Sequence, residues 1–448
     1  MSVPRVLLAP THRTGLAAAV AAGVAEVVGR QERHVRFHHL GALCPGAAWD
    51  RWEGASFLDL SLYDPDTLAE LYESTTRGAQ LSLLASSTGV LDACGAGSWT
   101  AVDVARILDC PLVLVVDCRG WGAGLAALVD GFNERLVGLN LAGVILTGVR
   151  DREHREQLRQ VLSGGRPPVV GCLYAEDGPG WDSFAPGPWG LPLDPQVVES
   201  IHRQVDTAGL EHLAGQRGFL AGAARAVERG PQEPLVVVAG GRGFTPWSRD
   251  SIEALRAGGA RVRRVDLLED RCLPDDAAGL VLAGHLWVDM LPALARNYSL
   301  MRELRVRIGD GLPTLALGGG MLYLMRRLQD PLGRSFDLAG ALPAEGELLG
   351  DLETPEYLEV RAERDSVLLA EGERLAGWIT ADAEIIEAPV SRGFPLSVSG
   401  SGWPKPKLEG AATTSLLCSR VLMHLASAPL LATRFVAACA GYAGGVSR

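Results

Sequence analysis

The sequence predicts an α/β protein made of two consecutive domains, and three observations lead there. Short apolar runs at residues 3–9, 81–85, 112–116, 142–146 and 169–173 lack the alternation of a half-exposed strand. Segments of helical periodicity separate them, the pattern of a mostly parallel sheet covered on both faces. The same logic restarts at Pro234-Leu235-Val236-Val237-Val238-Ala239, and 448 residues exceed what one hydrophobic core usually serves.

In chain order, the strand at 3–9 runs into a loop and an Ala/Val-rich helix at 16–28. Further helices are expected at 65–75, 100–108, 122–132 and 152–162, between the remaining strands. Residues 174–193 are rich in Gly, Pro and Trp and read as an irregular loop. A helical stretch at 196–229 precedes the restart, so the expected division is a domain at 1–195, a linker helix region at 196–232 and a domain at 233–448. The second half reads as strand 234–239, helix 247–257, strand 261–265, an acidic Leu-Pro segment and strand 279–284. Then Leu312-Pro313-Thr314-Leu315-Ala316-Leu317-Gly318-Gly319-Gly320-Met321-Leu322-Tyr323-Leu324 reads as a buried strand, a sharp glycine turn and a helix. Shorter β-like pieces with turns follow through 410, and a helix at 428–440 closes the chain.

Composition narrows the function classes. With 47% hydrophobic and 21% charged residues the chain has the balance of an ordinary globular protein. A net charge of -11 argues against nucleic acid as a partner, which would call for a basic patch or stripe. No apolar run reaches the roughly 18–20 residues of a membrane span, and no signal-peptide pattern precedes the first strand. Eight cysteines stand singly, without a Cys-x-x-Cys pair, which suits a reducing cytoplasm and offers no metal spacing. Each is expected as a small buried hydrophobe.

The order of these pieces resembles the two-domain cobyrinic acid a,c-diamide synthase family over nearly the whole chain. Leu108-Asp109-Cys110-Pro111-Leu112-Val113-Leu114-Val115-Val116-Asp117-Cys118-Arg119-Gly120 is similar to that family's Leu-Gly-Ala-Pro-Val-Val-Leu-Val-x-Asp-x-Arg-Gly. Leu141-Ala142-Gly143-Val144-Ile145-Leu146 is similar to its Ala-Gly-Val-Ile-x-Asn segment, and the glycine turn to its Pro-x-x-Ala-Glu-Cys-Gly-Gly-x-Met-x-Leu. The resemblance implies a P-loop/Rossmann-like parallel-sheet domain followed by a flavodoxin-like, glutamine amidotransferase-type domain. Family members phosphorylate carboxylates of a corrinoid or related tetrapyrrole with ATP. Their second domain releases ammonia from glutamine to displace the acyl phosphate.

Residue by residue, that chemistry is missing. The family's phosphate loop, Ala-Pro-x-Ser-Gly-x-Gly-Lys-Thr-Thr, appears as Ala9-Pro10-Thr11-His12-Arg13-Thr14-Gly15-Leu16-Ala17-Ala18. Gly15 is kept. The lysine for the β/γ oxygens is Leu16, and the hydroxyl for Mg²⁺ is Ala17. The glutamate expected to help hold Mg²⁺ falls on Ala85, while Asp92 and Asp117 remain at strand ends where a ligand crevice would lie. Thr11, His12, Arg13, Gly15, Asp92 and Asp117 are therefore the candidates for a degenerate nucleotide site. Carboxylates at such positions also cap the following helix.

The family's Phe-Lys-x-Gly-Pro-Asp-Tyr-Ile-Asp-Pro has become Phe37-His38-His39-Leu40-Gly41-Ala42-Leu43-Cys44-Pro45. His38 and His39 are ligand candidates for a metal or tetrapyrrole, although neighbours on a strand face opposite ways; packed histidines are the plain alternative. The nucleophilic cysteine of the elbow is Gly318, and without a side chain no thioester can form. The histidine base falls on Leu422 in the direct register, with His424 in the orienting position; a slip of two residues would make His424 the base. The expectation is a protein of this type without catalytic residues, which binds a tetrapyrrole or an active paralogue or forms a homodimer. An amidoligase with unconventional site residues is the alternative. No cofactor or metal is expected; Mg-ATP and a tetrapyrrole enter through the resemblance alone.

Overall fold

The computed structural model describes residues 3–31, 33–41, 56–94, 99–136, 138–164, 166–174, 193–216, 233–241, 243, 248–387, 394–401 and 403–446. The chain divides into two compact units, Met1–Ala224 and Arg225–Arg448.

The first unit runs β1 (Arg5–Pro10), α1 (Leu16–Gly29), β2 (Val35–Leu40), β3 (Ser56–Leu58), α2 (Pro65–Thr76), β4 (Leu81–Ser86), α3 (Ala101–Ile107), β5 (Leu112–Asp117). It continues with α4 (Leu125–Arg135), β6 (Leu141–Val149), α5 (Arg152–Val161), β7 (Val169–Tyr174), α6 (Pro195–Gln204) and α7 (Thr207–Ala214). Among the described residues its strands form one sheet in the order β3-β2-β4-β1-β5-β6-β7, parallel at every pairing. Every residue of β1 and β4 is buried, as a central parallel strand covered on both faces requires. Helix starts follow their local chemistry. Asp64 accepts from the Asp66 and Thr67 N–H groups ahead of Pro65, Thr100 and Asp103 form a reciprocal capping box, and Asp151 accepts from His154 N–H.

Helices α6 and α7 differ from the linker that the sequence suggested. Val197, Val198, Ile201, Leu210, Leu213 and Ala214 belong to the core of the first unit. A Cβ on Gly23 of α1 would stand 2.1 Å from Ile201 Cδ1, so the glycine leaves room for the end of this α6 side chain. The expected loop at 175–192 and the rest of the expected linker, 217–232, lie outside the described residues, as does Cys44.

The second unit runs β8 (Leu235–Gly240), α8 (Arg249–Ala257), β9 (Arg261–Asp266), β10 (Ala277–Gly284), α9 (Leu291–Leu294), α10 (Tyr298–Gly309), β11 (Thr314–Gly318), α11 (Gly319–Leu324). Then come β12 (Met325–Gln329), β13 (Ser335–Asp337), β14 (Leu342–Ala362), β15 (Arg374–Glu387), β16 (Leu396–Gly400) and β17 (Lys407–Glu409). The chain closes with β18 (Ala411–Ala412), β19 (Leu416–Ser419), β20 (Leu422–Met423) and α12 (Pro429–Val446). One sheet has the order β18-β19-β11-β10-β8-β9 and is parallel apart from β18. A second, mostly antiparallel sheet has the path β13-β12-β14-β15-β20, with β16 on β14 and β17 on β16.

Two features depart from the sequence reading. The pieces after the elbow are not all short, since β14 spans 21 residues and β15 spans 14. Gly346, Gly350 and Asp351 fall at register shifts of the β14/β15 ladder. A bulge bends a strand without ending it. Helix α10 went unassigned in the sequence, although its buried residues Leu300, Met301, Leu304 and Ile308 keep one face of a helical period. Among the described residues no helix is long and apolar enough to cross a membrane.

Candidate functional site

Each unit has one place where its parallel strands end in loops that could hold chemistry. In the first unit, β4, β1 and β5 are neighbours, and the chain order turns back at this point. That is where an open α/β sheet usually binds ligands. The loops after these three strands carry Asp92, then Thr11, His12, Arg13 and Gly15, then Asp117.

The loop after β1 is closed by its own bonds. Thr11 N–H donates to Val115 O at 3.2 Å, Thr14 N–H to Ser87 O at 2.9 Å, and Val90 N–H to Pro10 O at 2.8 Å. Leu16 N–H reaches Thr14 Oγ1 at 3.3 Å, and Thr11 Oγ1 lies 3.1 Å from His12 Nδ1. Groups that would cradle a phosphate thus already hold protein acceptors. Leu16 is buried at 9% exposure and Ala17 is fully buried, both at the start of α1. Gly15, in an ordinary helical conformation, precedes them. His12 and Asp92 meet around Gly89, where an added Cβ would stand 3.0 Å from His12 Cα and 2.2 Å from Asp92 Oδ2.

Asp117 does not face a ligand on its own. Arg119 clasps it, Nε donating to Oδ1 at 3.0 Å and to Oδ2 at 2.9 Å and Nη2 donating to Oδ2 at 2.6 Å. The Arg119 N–H donates to Oδ1 as well. The Asp-x-Arg spacing was visible in the sequence, and it was the signal for this pair. A set with no ammonium, no hydroxyl at position 17 and a carboxylate already held by an arginine does not fit Mg-ATP.

His38 and His39 do not line a mouth; both are buried, at 1% and 0% exposure. They do face opposite ways. Thr75 Oγ1 spends its proton on the Leu71 carbonyl at 2.8 Å, so it accepts from His38 Nε2 at 3.1 Å. Ser82 Oγ then donates to His38 Nδ1 at 3.3 Å. His39 Nδ1 lies 3.0 Å from the Gly41 carbonyl and therefore donates, leaving Nε2 to accept from Ser87 Oγ at 3.1 Å. Desolvation outweighs the Gly41 bond and pushes the His39 pKa from 6.5 down to about 4. Both nitrogens of each ring are engaged within the fold, the arrangement of packed histidines. No cluster of His, Cys, Asp and Glu able to hold a metal occurs among the described residues.

In the second unit the elbow is formed as the sequence suggested. Gly318 ends β11 and begins the turn into α11 with φ 61° and ψ -125°, a conformation open to glycine at little cost. The turn also brings backbone onto backbone. A Cβ on Gly319 would stand 2.4 Å from Leu286 N, and one on Gly320 would stand 1.7 Å from Leu282 O. A Cβ on Gly318 would meet Gly284 O at 2.7 Å and Leu422 Cγ and Cδ2 at 2.8 Å. The cavity here, lined by His285, Leu286, Gly318, Gly319, Leu322, Ala383 and Arg420, has about 10 Å³ of room. That is the scale of one water and far below a glutamine side chain.

The pairing Gly377↔Met423 and Trp378↔Leu422 puts Leu422 opposite the elbow. Leu422, the position at which the direct register expects the base, is thus the residue beside Gly318. His424 turns to α8, with Nδ1 3.1 Å from Asp250 Oδ2 and 3.4 Å from Ser248 Oγ. Sequence reasoning missed Asp250, Ser248 and Ser251, since about 174 residues separate them from His424 with no motif between. Cys418 on β19 is fully buried, and desolvation followed by the Glu409 charge pushes its pKa well above the ordinary range.

No family model matches the chain. It is 28% identical over 463 residues to a hydrogenobyrinate a,c-diamide synthase of Thermobifida fusca, covering 96% of this chain and 93% of that one. It is 28% identical over 389 residues to a cobyrinate a,c-diamide synthase of Syntrophotalea carbinolica, covering 83% of each. A hydrogenobyrinate a,c-diamide synthase of Streptomyces coelicolor is 27% identical over 429 residues, covering 85% and 86%. Among solved structures, PurLQS from Thermotoga maritima aligns at a TM-score of 0.33 and 15% identity, over 47% of this chain and 99% of that one. Chloroplast FtsY from Physcomitrella patens aligns at 0.29 and 16%, over 45% and 66%. These two scores are too low to carry weight. At identities of 23–28% across most of both chains, the protein is similar to the cobyrinate and hydrogenobyrinate a,c-diamide synthases.

Proposed function

We propose that this chain is a non-catalytic member of its family, acting in cobalamin or related tetrapyrrole biosynthesis by binding a tetrapyrrole or an active paralogue. The observation that carries the reading is the elbow. It has the backbone of a nucleophile turn, glycine in place of the nucleophile, and Leu422 packed where the base would stand. The first unit supports it independently through Leu16, Ala17, Ala85 and the Asp117–Arg119 clasp. Losses within one catalytic unit do not leave proportionate activity, so defects in both units argue against any amide-forming cycle. The second reading, an amidoligase with unconventional site residues, is favoured by relatives named as synthases that match nearly end to end.

The test is purification from the native host, with absorption spectroscopy and mass analysis of what co-purifies. A tetrapyrrole chromophore or a homologous synthase in stoichiometric amount supports the proposal. Protein that carries neither, yet consumes ATP and glutamine, supports the second reading.

A further inference from the structure

β20 is two residues long, and its pairing is confined to Gly377↔Met423 and Trp378↔Leu422. So short a ladder holds a strand weakly by itself, yet Leu422 is only 7% exposed and sits against the elbow. The chain before it is held by Arg420 N–H on Glu409 and Val421 N–H on Ser419 Oγ, and the residues that follow it are anchored on α8. His424 Nδ1 faces Asp250 Oδ2 at 3.1 Å. Leu425 N–H donates to Ser251 Oγ at 3.2 Å, and Ser248 Oγ donates to Ser251 Oγ at 2.9 Å. The His424 ring also packs on Trp378, the residue paired with Leu422, at 4.4 Å between centroids. Ser248, Asp250 and Ser251 stand together at the start of α8, so one short stretch of helix grips the chain just beyond the strand.

Asp250 and Ser248 approach the same nitrogen of His424, whereas a histidine that activates a nucleophile uses opposite nitrogens, so these three residues are not a serine relay. The arrangement is suited to tethering. Asp250 and His424 side chains are 0% and 1% exposed, and losing one partner strands the other in a low-dielectric interior. We propose that the Asp250–His424 pair is a latch that holds β20 in place and so keeps Leu422 seated in the elbow. Asp250 is then a positioning residue acting through His424. Release of the latch lets Leu422 withdraw and opens the space beside Gly318 to solvent. The proposal does not depend on the protein being non-catalytic.

The test uses the full-length Leu422→Cys chain and follows maleimide modification at position 422 by peptide mass, with the fully buried native Cys418 on β19 as internal control. Position 422 should react slowly in this background. Adding Asp250→Asn should speed it about tenfold or more while Cys418 stays protected, because a broken buried bond raises the open population locally. Asp250→Glu should recover part of the protection. If Asp250→Asn prevents folding, Ser251→Ala removes the acceptor of the Leu425 N–H and of the Ser248 hydroxyl, leaves the Asp250–His424 pair in place, and should give a smaller acceleration at 422. No acceleration at position 422, or equal acceleration at 422 and Cys418, overturns the proposal.

Discussion

Leu422 Cγ and Cδ2 lie 2.8 Å from the point where a Cβ on Gly318 would stand, closer than side-chain atoms pack. Gly284 O approaches the same point at 2.7 Å. The positions at which the resemblance expects a nucleophile and its base thus lie side by side here, one without a side chain and the other filled with hydrocarbon. Gly318→Cys should restore no glutamine hydrolysis. It should also destabilise the second unit by about 1–3 kcal/mol, since φ is positive and Leu422 must shift. Denaturant unfolding and an electrophilic glutamine analogue check both parts. A covalent adduct within 316–320 of the variant, or on Cys418 of the native chain, would contradict this expectation.

Mg-ATP should bind no tighter than about millimolar. Backbone dipoles at a helix start contribute on the order of 1 kcal/mol, against the roughly 8 kcal/mol of micromolar binding. Leu16 and Ala17 supply neither the ammonium nor the metal hydroxyl, and Arg119 already holds Asp117. Calorimetry that returned a micromolar constant would defeat the claim.

His39 should make the first unit sensitive to mild acid. Its folded pKa of about 4 lies below the ordinary 6.5, so below 6.5 the unfolded chain takes up a proton that the fold refuses. Stability from this residue is complete above 6.5 and is lost as pH falls through the window down to about 4, by up to a few kcal/mol. Urea unfolding between neutrality and pH about 4.5 should show this decline, and His39→Gln should flatten it. An unchanged pH profile in the variant would refute the assignment.

Glu373 works in the opposite sense, at lower pH. Arg434 of α12, and then the Ala370 N–H, hold its pKa down from 4.5 to about 2. Its contribution is present above 4.5 and is lost as pH falls toward 2. Both side chains are more than a third exposed, at 37% and 39%, so after solvent screening the pair is worth less than about 1 kcal/mol. Glu373→Gln should remove this increment and part of the salt dependence of unfolding; equal midpoints at high and low salt in both proteins would argue against it.

The alternation of apolar runs and helices was legible because each parallel strand needs two apolar faces, and Arg5–Pro10 or Leu81–Ser86 cannot be written otherwise. The elbow was legible because three consecutive glycines answer to one turn that presses α11 onto β10. What escaped the sequence was distant or cooperative. The His424–Asp250 pair joins residues 174 apart, and His38 and His39 look like free imidazoles until Thr75, Ser82 and Ser87 close around them. α6 and α7 read as a linker because nothing local says that Gly23 makes room for Ile201. β14 read as fragments because bulges carry the ladder across residues that usually end strands.

The proposed loss of amide-forming chemistry is tested most directly by offering the purified protein a cobyrinic-type corrinoid with Mg-ATP and either glutamine or ammonium, and reading the product by mass spectrometry. Supplying ammonium bypasses the elbow, so the first unit is tested separately from the second. The expected result is unchanged substrate carboxylates with both nitrogen donors. Conversion of any carboxylate to its amide, with either donor, would contradict the account.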